Sequence, residues 1–529
     1  MRYKPAQAHF NISRMSFMVR VYQLTIILLS VHLIPTNPVA EQRSLGKMLP
    51  LQTPSETLTS TAITPTSPST AGRVRNTLIS PLSHSPEDSL RRVLMYLCVV
   101  GHSPADYRLL SVHVMIRHGD RFPLYSIPKT KKPAIDCLLS EKRNPSHPLL
   151  ASFISHMALS GRGHWDTSLV SLPRLPNHST CEMGELTQTG VVQHLKNGDH
   201  LRQAYIKRHN LLTADWSPQQ LWVETTGKSR TLQSGLAFLF GFLPHFDWSR
   251  LTVRQQWSTL FCGSSCDCPA RNRYLEQEQR RQYRQRTADT ELEHTYVTMA
   301  KTLGVATKTL RAANPVDALL CHFCHGLSFP CSSTQTTSNA PDEDACLKIQ
   351  HFAVIRRQQK NDELERLEAG IYRQYAVLAA HPYLNRTATR MERIARGSQT
   401  RKGKEEAVFA LASAHDVSMA PLLSALGLEG AGFPKFAARL AFELWKSPEV
   451  KDKDRKSDRK EGKWLENMFI RVLYNGEDLT FETAFCRDHN RHSAQPLCPL
   501  GNFLSFVRKD MFNIVNATSY QQACHQTVL

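Results

Sequence analysis

Arg117, His118 and Arg121 stand close together in the stretch RHGDRFP, from Arg117 to Pro123. An imidazole is largely unprotonated near neutral pH, so His118 can attack an electrophile without a separate base. Two guanidiniums four residues apart cannot be buried without an anionic partner, and their planar forks match the oxygens of a phosphate. These residue types point to phosphoryl transfer, with His118 as nucleophile and Arg117 and Arg121 as phosphate ligands. Gly119 between them would let the backbone approach a ligand closely.

Such residues need rigid elements behind them. Val112, Val114 and Ile116 alternate among β-formers and the pattern stops at Arg117, so a strand delivers the charged loop. A second strand-to-loop unit, LWVETTGKSR from Leu221 to Arg230, runs into the apolar helix TLQSGLAFLFGF and places Arg230 at a helix start, where anions bind in open α/β sheets. A third, AVFALASAHDVSMAPLLSAL, reads as a doubly buried strand from Ala407 to Ala412, an exit loop from Ser413 to Asp416 and an apolar helix from Met419. Gly184 to Tyr205 has helical period with Thr187 as its cap. Further strands are predicted from Phe436 to Trp445 and from Met468 to Leu473. Charged helices from Arg271 to Leu303 and from Asp362 to Ala380 read as a cap domain.

RHGDRFP fits the pattern RHGxRxP, and from roughly residue 95 onward the chain resembles the histidine acid phosphatases, branch 2 of the histidine phosphatase superfamily. The resemblance implies an α/β fold, a three-layer core whose mixed, mostly parallel sheet is flanked by helices, with an inserted helical cap at roughly 134–180 and 250–400. It implies His118 as nucleophile, Asp416 as proton donor, and Arg117, Arg121, Arg230 and His415 as substrate phosphate ligands. No cofactor and no metal are expected, because the arginines supply the charge. CEMGELTQTGVVQHL, ETTGKSRTLQSG and CHFCH resemble the members that remove the 2-phosphate from xylose in the glycosaminoglycan–protein linkage region, in the Golgi. Phosphorylated xylose of proteoglycan linkage glycans is thus the implied substrate, and glycosaminoglycan-assembly enzymes are implied partners. Two other readings stay open: a lysosomal-type acid phosphatase or phytase of broader range, and a phosphoglycan-binding pseudoenzyme. The intact His118 and Asp416 speak against the latter.

Composition agrees with a secretory-pathway enzyme. A net charge of +19 suits anionic partners, but no zinc-finger spacing or aromatic RNA-binding signature accompanies it, so nucleic acid is not expected. Arg2, Lys4, Arg14 and Arg20 precede residues 21–40, which contain no Asp, Glu, Lys or Arg. Twenty helical residues span roughly 30 Å, and the basic flank keeps residues 1–20 cytosolic. The expectation is a single-pass type II signal anchor in the Golgi apparatus membrane, with the catalytic domain lumenal. Residues 41–92 read as a stem, since 14 of the 18 residues from 53 to 70 are Ser, Thr or Pro and cannot build a core. The folded lumenal domain runs from 93 to 529. All 13 cysteines lie at Cys98 or later, on the oxidising side, and the odd count leaves at least one unpaired within the chain. The clusters Cys262, Cys266, Cys268 and Cys321, Cys324 are read as structural disulfides rather than zinc or haem ligands. Sequons at Asn177, Asn385 and Asn516 would be glycosylated in the lumen, and Asn11 would stay bare.

Overall fold

The computed structural model describes residues 106–528 apart from 160–162, 334–344, 398–405, 449–462 and 490–496. The anchor at 21–40, the stem at 41–92 and the sequon at Asn11 lie outside the described residues. Among the described ones, no helix is long and apolar enough to cross a membrane.

Strand β1 (Arg108–Arg117) crosses the middle of a nine-stranded sheet, and its alternating side chains feed two cores. Val112, Val114 and Ile116 enter one, and Met115 enters the other. β5 (Phe409–Ala414) divides the same way, with Phe409 and Leu411 on one face and Ala412 and Ala414 on the other. A strand covered on both faces needs no polar side, which is why this stretch is apolar apart from Ser413, whose Oγ donates to the Thr231 carbonyl at 2.7 Å. Across the sheet the order is β2 (His164–Trp165), β4 (Thr252–Gln256), β3 (Leu221–Thr226), β5, β1, β6 (Arg439–Lys446), β7 (Met468–Tyr474) and β8 (Glu477–Asp478). β9 (Cys498–Pro499) also pairs with β7. Pairings are parallel from β2 to β1 and antiparallel from β1 onward, so the sheet is mixed.

One face is covered by α1 (Leu150–Ala158), α2 (Gln188–Leu201) and α3 (Ser229–Phe242). Thr187 caps α2 as the sequence suggests, its hydroxyl accepting from the Gly190 amide at 3.3 Å. α4 (Pro269–Ala288) then leads to α5 (Thr290–Leu303), α6 (Thr307–Ala312), α7 (Pro315–Cys324) and α8 (Ile349–Glu368). The last four gather around a small core of their own, built on Met299, Leu303, Leu319 and Phe352. The charged helix expected from 271 to 303 is two helices, because Asp289 leaves the helical path and caps α5 by accepting from the Leu292 amide at 2.9 Å. α9 (Gly370–Ala395), α10 (Asp416–Ala425), α11 (Leu500–Arg508) and α12 (Tyr520–His525) cover the other face of the sheet.

Among the described residues five disulfides are formed, Cys137–Cys181, Cys262–Cys266, Cys268–Cys524, Cys331–Cys346 and Cys486–Cys498. The expectation of a structural disulfide in CHFCH is corrected: Cys321 and Cys324 take part in none of the five. Both sit in the regular helix α7, and Cys321 is turned into an apolar cluster with Phe122 and Ile135. Asn177 and Asn516 are exposed, whereas Asn385 is half-buried within α9.

α2 and α3 approach so closely that their backbones touch through Gly198 and Gly241. A Cβ on Gly198 would overlap the Phe238 carbonyl oxygen, and one on Gly241 would overlap that of Leu195. Neither neighbour is a side chain that can swing away. Gly198→Ala should therefore cost about 2 kcal/mol through overpacking, read as a lower urea midpoint with an unchanged m-value. A midpoint within error of the parent would show that the helix pair separates freely.

Candidate functional site

β3, β5 and β1 are neighbours in the parallel half of the sheet, and their C-terminal ends open side by side. This arrangement gathers every residue singled out for chemistry. β1 ends at Arg117 and releases His118. β5 leads directly to His415, the N-cap residue of α10, and to Asp416, its first residue. β3 leads through Gly227 and Lys228 into α3, where Arg230 sits in the first turn. In open α/β sheets ligands bind at such strand ends, next to helix N-termini.

The nucleophile loop is fixed on every side. The His118 amide donates to the Ala414 carbonyl at 2.9 Å, the Gly119 amide to Ser234 Oγ at 3.1 Å and the Asp120 amide to Gln193 Oε1 at 2.9 Å. Gly119 also lets the loop pack against a helix, since a Cβ there would lie 2.5 Å from the Gly190 backbone in α2. His118 Nδ1 lies 2.9 Å from the Gly119 carbonyl oxygen; donating to it fixes the tautomer and leaves Nε2 as the nucleophilic nitrogen. Burial, followed by the charges of Arg230 and Arg117, holds the His118 imidazole well below its ordinary pKa of 6.5. A lowered pKa favours the neutral imidazole among these cations.

Arg117 Nη2 lies 2.7 Å from Asp416 Oδ2, and its Nη1 donates to the Pro434 carbonyl at 2.7 Å. Arg121 forms a forked pair with Asp317, Nη1 to Oδ2 at 3.2 Å and Nη2 to Oδ1 at 3.0 Å. Arg121 Nε and Arg230 Nε have no hydrogen-bond partner among the described residues. Buried donors without acceptors are costly, and an anion would satisfy both. Burial and the neighbouring Arg121 also lower the Arg230 pKa to about 9, a cost that a bound phosphate would offset. His415 Nε2 lies 2.9 Å from Thr226 Oγ1, its ring centroid 5.4 Å from that of His118. Asp416 Oδ1 accepts from the Val417 amide at 2.7 Å. Burial raises the Asp416 carboxyl above its ordinary range against the pull of Arg117 and Arg121, which suits a group that must hold a proton and deliver it.

Several residues of this site are absent from the sequence reading. Asp317, on α7, also accepts from the Leu124 amide at 2.7 Å. It stands 196 positions from Arg121, and a short NPVD helix start resembles any other. Phe436 lies beneath the cations, its ring centroid 4.2 Å from the Arg117 guanidinium carbon and 5.6 Å from that of Arg121. His325, last in the CHFCH string, holds Asp120 Oδ2 at 3.0 Å, and Thr187 Oγ1 donates to the same oxygen at 2.5 Å. Among the described residues the group of metal-ligand type is Cys137, Cys181 and Glu185, and its two sulfurs are already joined as a disulfide. The arrangement can bind a phosphate monoester, present it to an imidazole and protonate its leaving oxygen.

A family model described as the histidine phosphatase superfamily (branch 2) matches residues 108–475. The chain is 77% identical over 511 residues to the Danio rerio protein named 2-phosphoxylose phosphatase 1, covering 96% of each chain. The Homo sapiens protein of that name is 53% identical over 428 residues, which cover 80% of this chain and 83% of that one. The Xenopus tropicalis protein is 55% identical over 426 residues, 80% of this chain and 79% of its own.

The expected roles of His118 and Asp416 give a testable pH dependence. A nucleophilic His118 has to be neutral, and its pKa lies well below 6.5, so kcat/KM should hold as pH falls through 6.5 and decline only well below it. A proton-donating Asp416 has to be protonated, and its raised pKa moves the alkaline limb above the ordinary carboxyl value of 3.8. Asp416→Asn should slow hydrolysis of an alkyl phosphate by about 100-fold and leave a nitrophenyl phosphate, whose leaving group needs no proton, much less affected. An acid limb at or above pH 6.5 would remove His118 as the attacking group.

Proposed function

Because the chain belongs to branch 2 of the histidine phosphatase superfamily, we propose that it is a phosphomonoesterase removing the 2-phosphate from xylose in the glycosaminoglycan–protein linkage region. The observation that carries the substrate is the 77% identity over nearly the whole length to a relative named for that activity. The geometry supports the chemistry. His118 Nε2 attacks phosphorus in line, forming an N–P bond as the bond to the sugar oxygen breaks, and Asp416 gives its proton to that oxygen. Arg117, Arg121, Arg230 and His415 hold the equatorial oxygens while charge moves. In the second step Asp416, now ionised, takes a proton from the water that cleaves the phosphohistidine, returning both groups to their starting states.

Phosphate release from a synthetic 2-phosphoxylosyl linkage oligosaccharide tests this reading. The parent should release phosphate from it faster than from inositol hexakisphosphate. His118→Ala should release none and yield no acid-labile phosphoenzyme. Faster release from the inositol phosphate would favour a phytase-like activity instead, and no release from any phosphomonoester would leave a binding protein.

The reading includes a place of work. Residues 21–40 anchor the chain as a type II protein of the Golgi membrane, close to the glycosaminoglycan-assembly enzymes that would supply its substrate. The low-charge stretch behind four basic residues supports this orientation. An epitope tag placed before Met1 should stay attached and cytosolic, while endoglycosidase treatment should lower the mass of the lumenal part. Glycan on Asn11 of the unaltered protein would reverse the orientation.

A further inference from the structure

A cavity of about 690 Å³ opens between α4, α9 and the segments around Asn516 and Gln526, and no residue of the phosphate site lines it. Its α4 wall carries three arginines. Arg281 is neutralised, with Nε 2.8 Å from Glu278 Oε2 and Nη1 3.8 Å from Glu365. Arg280 and Arg284 are exposed, one helical turn apart, and form no ion pair with a described residue. Two like charges at i and i+4 work against their own helix, so an unpaired couple facing a cavity is a feature that a bound anion would offset. The facing walls bring primary amides from Gln374 and Gln526, groups suited to hydroxyls, and the apolar body of Tyr274. Gln526 is held in place, its Nε2 donating to the Val515 carbonyl at 2.8 Å.

We propose that this cavity is a subsite for the acidic part of a glycan, a carboxylate- or sulfate-bearing oligosaccharide continuous with the phosphorylated sugar. The inference rests on the substrate reading above. Guanidiniums bind carboxylate and sulfate oxygens through paired N–H donors, while the amides take the sugar hydroxyls between charges. A neutral glycan would leave the arginine couple unanswered. Ile371 of α9 lines the cavity, and the next residue, Tyr372, is buried with its ring centroid 5.4 Å from the Arg366 guanidinium carbon.

The test measures binding of a fluorescent heparin-derived hexasaccharide to the full-length protein, with neutral maltohexaose and a hexaglutamate peptide as comparisons. The acidic hexasaccharide should bind in a salt-dependent way and more tightly than either. Arg280→Glu with Arg284→Glu should weaken it at least tenfold, the two lysine replacements should retain part of the affinity, and hydrolysis of 4-nitrophenyl phosphate should stay within twofold throughout. Undiminished binding by the glutamate variant, equal binding of maltohexaose, or tighter binding of hexaglutamate would each overturn the proposal. So would binding that appears only in Asn516→Gln, because the protein's own glycan would then fill the cavity. Release of phosphate from xylose 2-phosphate alone reports on the catalytic reading separately. It can fail while the hexasaccharide binds, or succeed while it does not.

Discussion

Arg117, Arg121 and Arg230 repel one another in a cleft from which much of the water is excluded. Two unit charges 4 Å apart repel by about 4 kcal/mol even at an effective dielectric of 20, and each desolvated guanidinium adds its own penalty. The fold answers with two carboxylates and one aromatic face. Asp416 lies against Arg117, Asp317 grips Arg121, and Phe436 lies beneath both. Three guanidiniums face these two carboxyl groups, so the site keeps an excess of positive charge that a phosphate would offset.

That balance explains why a helical insertion is tied so firmly to a catalytic loop far away in the chain. α7 reaches the loop twice, through Asp317 to Arg121 and, just past its end, through His325 to Asp120. The hydrogen bond and charge of Asp120 outweigh burial and hold His325 above its ordinary pKa. The sheet positions the loop from below and α7 from above. A protein that used only the sheet would have to bury Arg121 without a counter-ion.

What could be read from the sequence was whatever is local. Arg117, His118, His415, Asp416 and Arg230 each follow a strand pattern at close range, which put them at strand ends, and the family motifs singled out Arg230, His415 and Asp416 among the polar residues there. The doubly buried strand expected from Ala407 to Ala412 is found as Phe409–Ala414, while the three-layer architecture came from the family resemblance. Asp317 and Phe436 were not legible, because nothing near them in the chain says which distant cation they will meet. The contact of Gly119 with α2 was not legible either, since a glycine needed for helix contact and one needed for a ligand look alike in one dimension. Cys321 and Cys324 read from the sequence as disulfide cysteines rather than haem ligands, and neither belongs to the five disulfides among the described residues.

The disulfides carry a consequence for the order in which the molecule matures. Cys262–Cys266 and Cys486–Cys498 join positions 4 and 12 residues apart and can close while synthesis is still under way. Cys268–Cys524 spans 256 residues, so Cys268 must wait, reduced, while the whole sheet and the helices on both its faces are made. During that interval its thiol competes with closer partners such as Cys262 and Cys266 for oxidation. An oxidoreductase that can undo a premature Cys266–Cys268 link would thus set the yield of native protein more than the intrinsic stability of the sheet does, and expression in a compartment lacking such an isomerase would trap the chain with α4 and α12 unjoined.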